Sequence, residues 1–106
     1  MSAPGQDELI DKALDALRTV DDPEVGLNVV DLGLIYEIEI GPDAREVDCL
    51  MTFTTEFCPM GASIQAGVTE ALKMTFPEAA VQVRITFDPP WSQSMISEAG
   101  RMFLGG

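Results

Sequence analysis

The sequence predicts an α+β, two-layer domain in which helices pack on one face of a three-stranded mixed sheet, in the order α-β-β-α-β-α. Three observations carry this reading. Residues near 30–40, 46–55 and 80–87 alternate apolar and polar side chains, the period of a half-buried strand. Residues near 7–20, 59–75 and 93–104 repeat apolar side chains every three or four positions, the period of an amphipathic helix. Clusters of Gly, Pro and Asp separate these segments, as turns require.

Residues 1–6 read as a flexible tail and 7–106 as one domain. The first helix sets Ile10, Ala13, Leu14, Leu17 and Val20 on one face. Asp7 and Glu8 suit the positive end of its dipole. Asp21-Asp22-Pro23 ends it, because the residue before a proline avoids helical angles. In the first strand Val30, Leu32, Leu34, Tyr36, Ile38 and Ile40 share a side. Gly33 marks a bulge or a close backbone approach there. Gly41-Pro42-Asp43-Ala44 is turn chemistry, so the first two strands form an antiparallel hairpin.

The second strand aims Val47, Cys49, Met51 and Phe53 at the core. The next helix carries Ile64, Val68, Ala71 and Leu72, with Pro59 at its first position and Phe76-Pro77 as its stop. It crosses over to a third strand, Val81, Val83, Ile85 and Phe87 on one face, parallel to the second. Asp88-Pro89-Pro90-Trp91 breaks that strand. A last helix follows, with Ser92 as its expected cap and Trp91 clamping it to the core rather than anchoring a partner.

Composition removes several function classes. The 106 residues include 18 Asp or Glu against 6 Lys or Arg, a net charge of -12. Phosphate backbones and anionic membranes are disfavoured partners, since both are held by cations. No apolar run reaches the ~18 residues that span a bilayer. The polar, acidic opening from Met1 to Glu8 predicts no secretory signal, and a cytoplasmic location follows as the expectation. Two cysteines and no histidine exclude Ser-His-Asp and Cys-His catalysis and Cys-x-x-Cys redox chemistry.

Cys58 is the candidate for chemistry. It lies between a strand end and Pro59, which predicts a place at or near the N-cap of the 59–75 helix. Unpaired N–H groups and the helix dipole favour a thiolate there. The competing reading is a buried structural cysteine. Cys49, in mid-strand, reads as core. Asp22 and Glu24 form an acidic turn that could orient a thiol, bind metal or simply end the helix in solvent. Thr54 and Thr55 could donate to a thiolate or sulfide, or reflect strand propensity alone.

Four segments resemble the SufT-like, or PaaD-like, family of metal–sulfur cluster assembly factors. They are Asp22-Pro23-Glu24, the Asn28–Tyr36 run, Met51–Thr55 with Cys58-Pro59-Met60, and Asp88-Pro89-Pro90-Trp91 with Ile96-Ser97. They keep the family's order over roughly residues 8–104. Met60 stands where relatives usually carry Leu, and Ser92-Gln93 where they often carry Thr-Pro. The absence of a cysteine-rich C-terminal segment favours the short SufT-like branch.

The resemblance implies iron–sulfur cluster maturation without turnover chemistry, with Cys58 as the functional thiol and shared cluster or metal ligand. Asp22, Glu24, Thr54 and Thr55 are its supporting positions. Clusters take four thiolates, so one chain is expected to hold iron or a cluster only transiently, with a partner or a second subunit in a homodimer. The expected partners are the assembly machinery and client apo-proteins. The alternatives are a thiol enzyme with Asp22 or Glu24 as base, disfavoured because a carboxylate near pKa ~4 is a poor base for a thiol, and a non-catalytic adaptor or interaction module.

Overall fold

A computed structural model describes residues 5–105. Eight elements follow one another: helix α1 (Gln6–Leu17), strands β1 (Asp21–Asp22), β2 (Leu27–Asn28), β3 (Ile35–Ile40) and β4 (Glu46–Met51), helix α2 (Gly61–Thr75), strand β5 (Ala80–Ile85) and helix α3 (Glu98–Phe103). The main sheet has the order β3-β4-β5. β3 and β4 are antiparallel and β4 and β5 parallel, as the hairpin and crossover predict. β1 and β2 form a separate antiparallel pair that the sequence reading did not foresee.

The sheet buries one face. Register aligns Ile40, Val47 and Val81 in one row and Ile38, Cys49 and Val83 in the next. β4 alternates cleanly, with Val47, Cys49 and Met51 buried. Over these rows pack Ala13 and Leu17 from α1 and Ile64, Val68 and Leu72 from α2, all part of one core. Gly67 lets α2 approach the chain just beyond α1, since a Cβ there would lie 3.2 Å from Val20 Cγ1. On the open face Arg84 reaches Asp48 at 3.0 Å. At the sheet's edge the Gln65 side chain donates to the Val83 carbonyl at 3.1 Å.

Four boundaries among these elements depart from the sequence reading. α1 stops at Leu17 rather than Val20: the Thr19 and Val20 N–H groups bond back three residues, to the Ala16 and Leu17 carbonyls at 3.1 and 3.0 Å, instead of four, and the tightened turn ends the helix. The strand expected from residue 30 starts at Ile35. The Asn28 side chain accepts from the N–H groups of Val30 and Asp31, and such a bond holds the backbone in a turn. β4 ends at Met51 and β5 at Ile85, so Phe53 and Phe87 lie beyond the strands. Of the expected tail, residues 1–4 lie outside the described residues, Gly5 caps α1 and Gln6 begins it.

The C-terminal segment is held by a polar lock. The helix expected over 93–104 is divided: a 3-10 turn spans Gln93–Met95, Ile96 is extended, and α3 follows. Ser92 makes no side-chain cap, whereas Ser97 accepts from the Gly100 N–H at 3.0 Å. The Ser97 hydroxyl donates to Asp31 at 2.8 Å, and Asn28 donates to the other Asp31 oxygen at 2.7 Å. These two bonds hold the Asp31 carboxyl below the usual carboxylate range; partial burial opposes them and Arg18 adds a weak pull. Trp91 donates to the Leu32 carbonyl at 2.7 Å and Tyr36 to the Pro89 carbonyl at 2.7 Å. Trp91 thus ties the segment before the 3-10 turn to the core.

Gly33 is the tightest point. Its φ is +83°, and a Cβ there would lie 2.4 Å from the Met95 carbonyl oxygen. Gly26 has φ +81° with nothing within 4 Å. Left-handed backbone costs a non-glycine residue about 1–2 kcal/mol, and overpacking adds about 1–3 kcal/mol. Gly33→Ala is therefore expected to destabilise by about 2–4 kcal/mol and Gly26→Ala by about half that. Urea unfolding of both variants checks it; equal losses would remove the Met95 contact from the account.

A second expectation concerns pH. A carboxyl lowered by folding adds stability that is present above its unfolded pKa, ~3.9, and lost as pH falls through the lower folded value. Asp31→Asn is expected to cost about 1 kcal/mol at pH 7, with the gap to the parent closing below about pH 4. Melts of the two proteins from pH 7 to pH 3 measure this, and a gap constant with pH would contradict it.

Candidate functional site

The site is the connection from β4 to α2. Two strand-end bonds define where the chain leaves the sheet: the Thr52 N–H donates to the Leu34 carbonyl at 2.8 Å, and the Thr86 N–H to the Met51 carbonyl at 2.9 Å. Phe53 then turns its ring inward. It packs against Phe87 with centroids 6.3 Å apart and against Gly61, where a Cβ would lie 2.9 Å from the ring. Phe53 thus pins both ends of the loop that carries Cys58. Within it, Thr55 Oγ1 accepts from the Phe57 N–H at 3.3 Å, and the Cys58 carbonyl accepts from the Gly61 N–H at 3.1 Å.

The expected capping geometry is corrected. The N-cap of α2 is Met60, its side chain makes no capping bond, and Pro59 precedes the helix instead of opening it. Cys58 sits two residues upstream of the cap. The Gly61 N–H turns back to the Cys58 carbonyl, and the first helical bond runs from the Ile64 N–H to the Met60 carbonyl at 3.0 Å; Gly61 then lets this first turn lie against Phe53, where a Cβ would clash. Cys58 remains near the positive end of α2 but does not receive its first-turn N–H groups.

The two thiols differ in access. Both are free. Cys49 is fully buried, and burial, with a smaller push from Asp48, raises its thiol to about 12. Cys58 is partly exposed and packs against the core's margin. Beside it Phe57 is 86% exposed and Met60 36%.

Thr54 and Thr55 share the loop with Cys58, Thr54 partly buried and Thr55 exposed. The acidic turn is a separate structure. Asp22 is buried, 1% exposed, not solvated. Its Oδ1 accepts from the Glu24 N–H at 2.8 Å, and its carbonyl accepts from Val25 and Gly26. Asp22 therefore shapes the β1–β2 hairpin, while Glu24 is exposed on it. Among the described residues no hydrogen bond joins either carboxylate to Cys58. None of their Cys, Asp and Glu side chains gather in threes that could hold a metal ion. No helix among them is long and apolar enough to cross a membrane.

Sequence reasoning passed over two features. The exposure of Phe57 was signalled only by an aromatic residue in a segment otherwise made for a turn. The Asn28–Asp31–Ser97 lock was hidden because its partners lie 66 positions apart.

Comparison with known proteins gives this arrangement its setting. A family model described as "Iron-sulfur cluster assembly protein" matches residues 10–86, which include the whole site. An Fe-S protein maturation auxiliary factor of Porphyromonas gingivalis is 39% identical over 84% of this chain and 84% of its own. A Bacillus subtilis protein of the same description is 33% identical over 94% and 97%. The Staphylococcus aureus maturation auxiliary factor SufT is 36% identical over 79% and 94%. Among solved structures, a domain of unknown function from Bacillus anthracis superposes with a TM-score of 0.87, at 32% identity and 94% coverage of both chains. A conserved hypothetical protein from Thermotoga maritima gives 0.77 at 40% identity, covering all of both chains. With the family model spanning most of its length and these relatives matching nearly end to end, the chain belongs to the iron–sulfur cluster assembly protein family, in its SufT-like group.

Proposed function

We propose that this protein is a maturation factor that helps deliver iron–sulfur clusters to client apo-proteins through the thiolate of Cys58. The observation that carries the reading is the contrast between its two thiols. Cys49 is sealed in the core, and Cys58 lies partly exposed on a pinned loop inside the family match. Proteins similar to this one are named maturation auxiliary factors, and an iron–sulfur cluster carrier protein of Deinococcus radiodurans is 39% identical over 58% of this chain and 17% of its own. These names favour a carrier or auxiliary role over an enzyme.

A single available thiol limits the chemistry. On binding, the Cys58 sulfur releases its proton to solvent and donates a lone pair to iron. The remaining positions of a four-thiolate shell come from a partner or a second subunit, so the cluster is cargo in transit. Of the two carboxylates a thiol enzyme would call on as base, Asp22 is committed to its own turn, and among the described residues Glu24 makes no hydrogen bond to Cys58. Glu24 remains as an exposed carboxylate for a cationic partner, and Thr54 and Thr55 as shapers of the loop. Two free cysteines fit a reducing cytoplasm, with residues 7–106 acting as one unit.

Two measurements test this. Alkylation with iodoacetamide at pH 7–9 is expected to modify Cys58 readily and Cys49 only after unfolding; comparable rates would remove the access argument. Cys58→Ser is expected to change stability by less than about 1 kcal/mol, since the position is marginal to the core. The same variant should lose client maturation in cells, because a hydroxyl cannot replace a soft thiolate toward iron. Full maturation with Cys58→Ser would leave an adaptor acting through its surface, and a large stability loss would return Cys58 to the core.

A further inference from the structure

We propose that Phe57 is a docking anchor that inserts into the apolar cluster pocket of a recipient apo-protein and brings it onto the adjoining Cys58 thiol. The inference rests on the delivery role proposed above and identifies the surface and the partner's chemistry.

Among the described residues Phe57 is the most exposed of the large apolar side chains, at 86%. Single exposed apolar residues are ordinary, but this one is placed and held. It directly precedes Cys58, with exposed Pro59 and Met60 following. Its N–H is bound by Thr55, and both ends of its loop are pinned by Phe53. A side chain presented on a fixed loop loses little freedom on binding. Aromatic residues seated in a pocket are the usual centres of binding energy.

Charge selects the occupant. From Glu46 to Leu72 the chain carries Glu46, Asp48, Glu56 and Glu70 and no Lys or Arg. Of the six cations, Arg18 is engaged with Asp15, Arg84 with Asp48, Lys12 over the Phe76 ring and Arg101 with the Ser94 carbonyl, while Arg45 precedes β4 and Lys73 lies in the last turn of α2, both at the ends of those elements remote from the Cys58 loop. The anchor thus stands beside Glu56 on a stretch of chain without a cation. A partner must offer an apolar hollow with a cationic rim. An apo-protein awaiting a cluster fits this: four thiolates around iron are net anionic, so cations at the rim compensate the loaded site, and the same cations meet Glu56.

The test is anaerobic binding of the full chain to a purified apo-[4Fe–4S] hydro-lyase, with a purified cluster scaffold protein run in parallel. Phe57→Ala is expected to weaken binding to the apo-enzyme roughly 10- to 100-fold, and Phe57→Leu by less. Met74→Ala, at a residue 75% exposed on the far end of α2, should bind as the parent does. Added KCl should weaken the parent complex. Alkylation of Cys58 in Phe57→Ala should proceed at the parent rate, separating docking from an effect on the thiol. Equal affinities for Phe57→Ala and Met74→Ala would overturn the proposal, as would binding to the scaffold alone. Cys58→Ser distinguishes the two proposals: it should bind the apo-enzyme normally but fail to load it. Normal loading by that variant would sink the thiol role while leaving the anchor standing.

Discussion

Parallel pairing of β4 with β5 is the constraint on which the rest depends. Two parallel neighbours cannot be joined by a tight turn, so the chain must leave the sheet at the end of β4 and return over its face. α2 is that return. Its crossing supplies Ile64, Val68 and Leu72 to the core and creates a strand-to-helix loop at the strand's C-terminal end. Cys58 occupies that loop. The thiol's position is thus a consequence of sheet topology before it is a matter of local sequence.

The loop itself is set by an aromatic ring rather than by hydrogen bonds to the thiol. Phe53 has left the strand, rests on Phe87 and leaves room only for a glycine at position 61. This lets the first turn of α2 lie against the ring that pins the Cys58 loop. The acidic turn has a different task. A buried carboxylate must be hydrogen-bonded, and Asp22 meets this by accepting from the Glu24 backbone. What resembled a pair of equivalent acids is one structural residue and one exposed residue.

Much of this was legible in the residues. Period-two alternation located β4 and β5 and assigned Cys49 to the core, because packing and periodicity agree there. Reading failed where a polar side chain overrode an apolar pattern. Val30, Leu32 and Leu34 alternate as a strand would, yet Asn28 binds the backbone beyond it and Gly33 adopts a left-handed angle. The cap of α2 was misjudged because Pro59 is a strong local signal, whereas the contact of Gly61 with Phe53 crosses the loop. The acidic turn was read from its charges, and burial of Asp22 depends on neighbours no local pattern reveals.

The Gln65 bond to the β5 carbonyl bears on an open edge of the main sheet. β5 is an edge strand whose sequence, Ala-Val-Gln-Val-Arg-Ile, is apolar in alternation and holds one charge. The Ala80 and Thr86 N–H groups point at β4, so the odd-numbered residues between them turn their backbone outward. Such an edge is a template for foreign strands. Gln65 occupies the central acceptor from above. An incoming strand must break that bond before making its own, which leaves it little net gain. The helix that covers the core thus also occupies an outward-facing backbone acceptor on an edge of the main sheet.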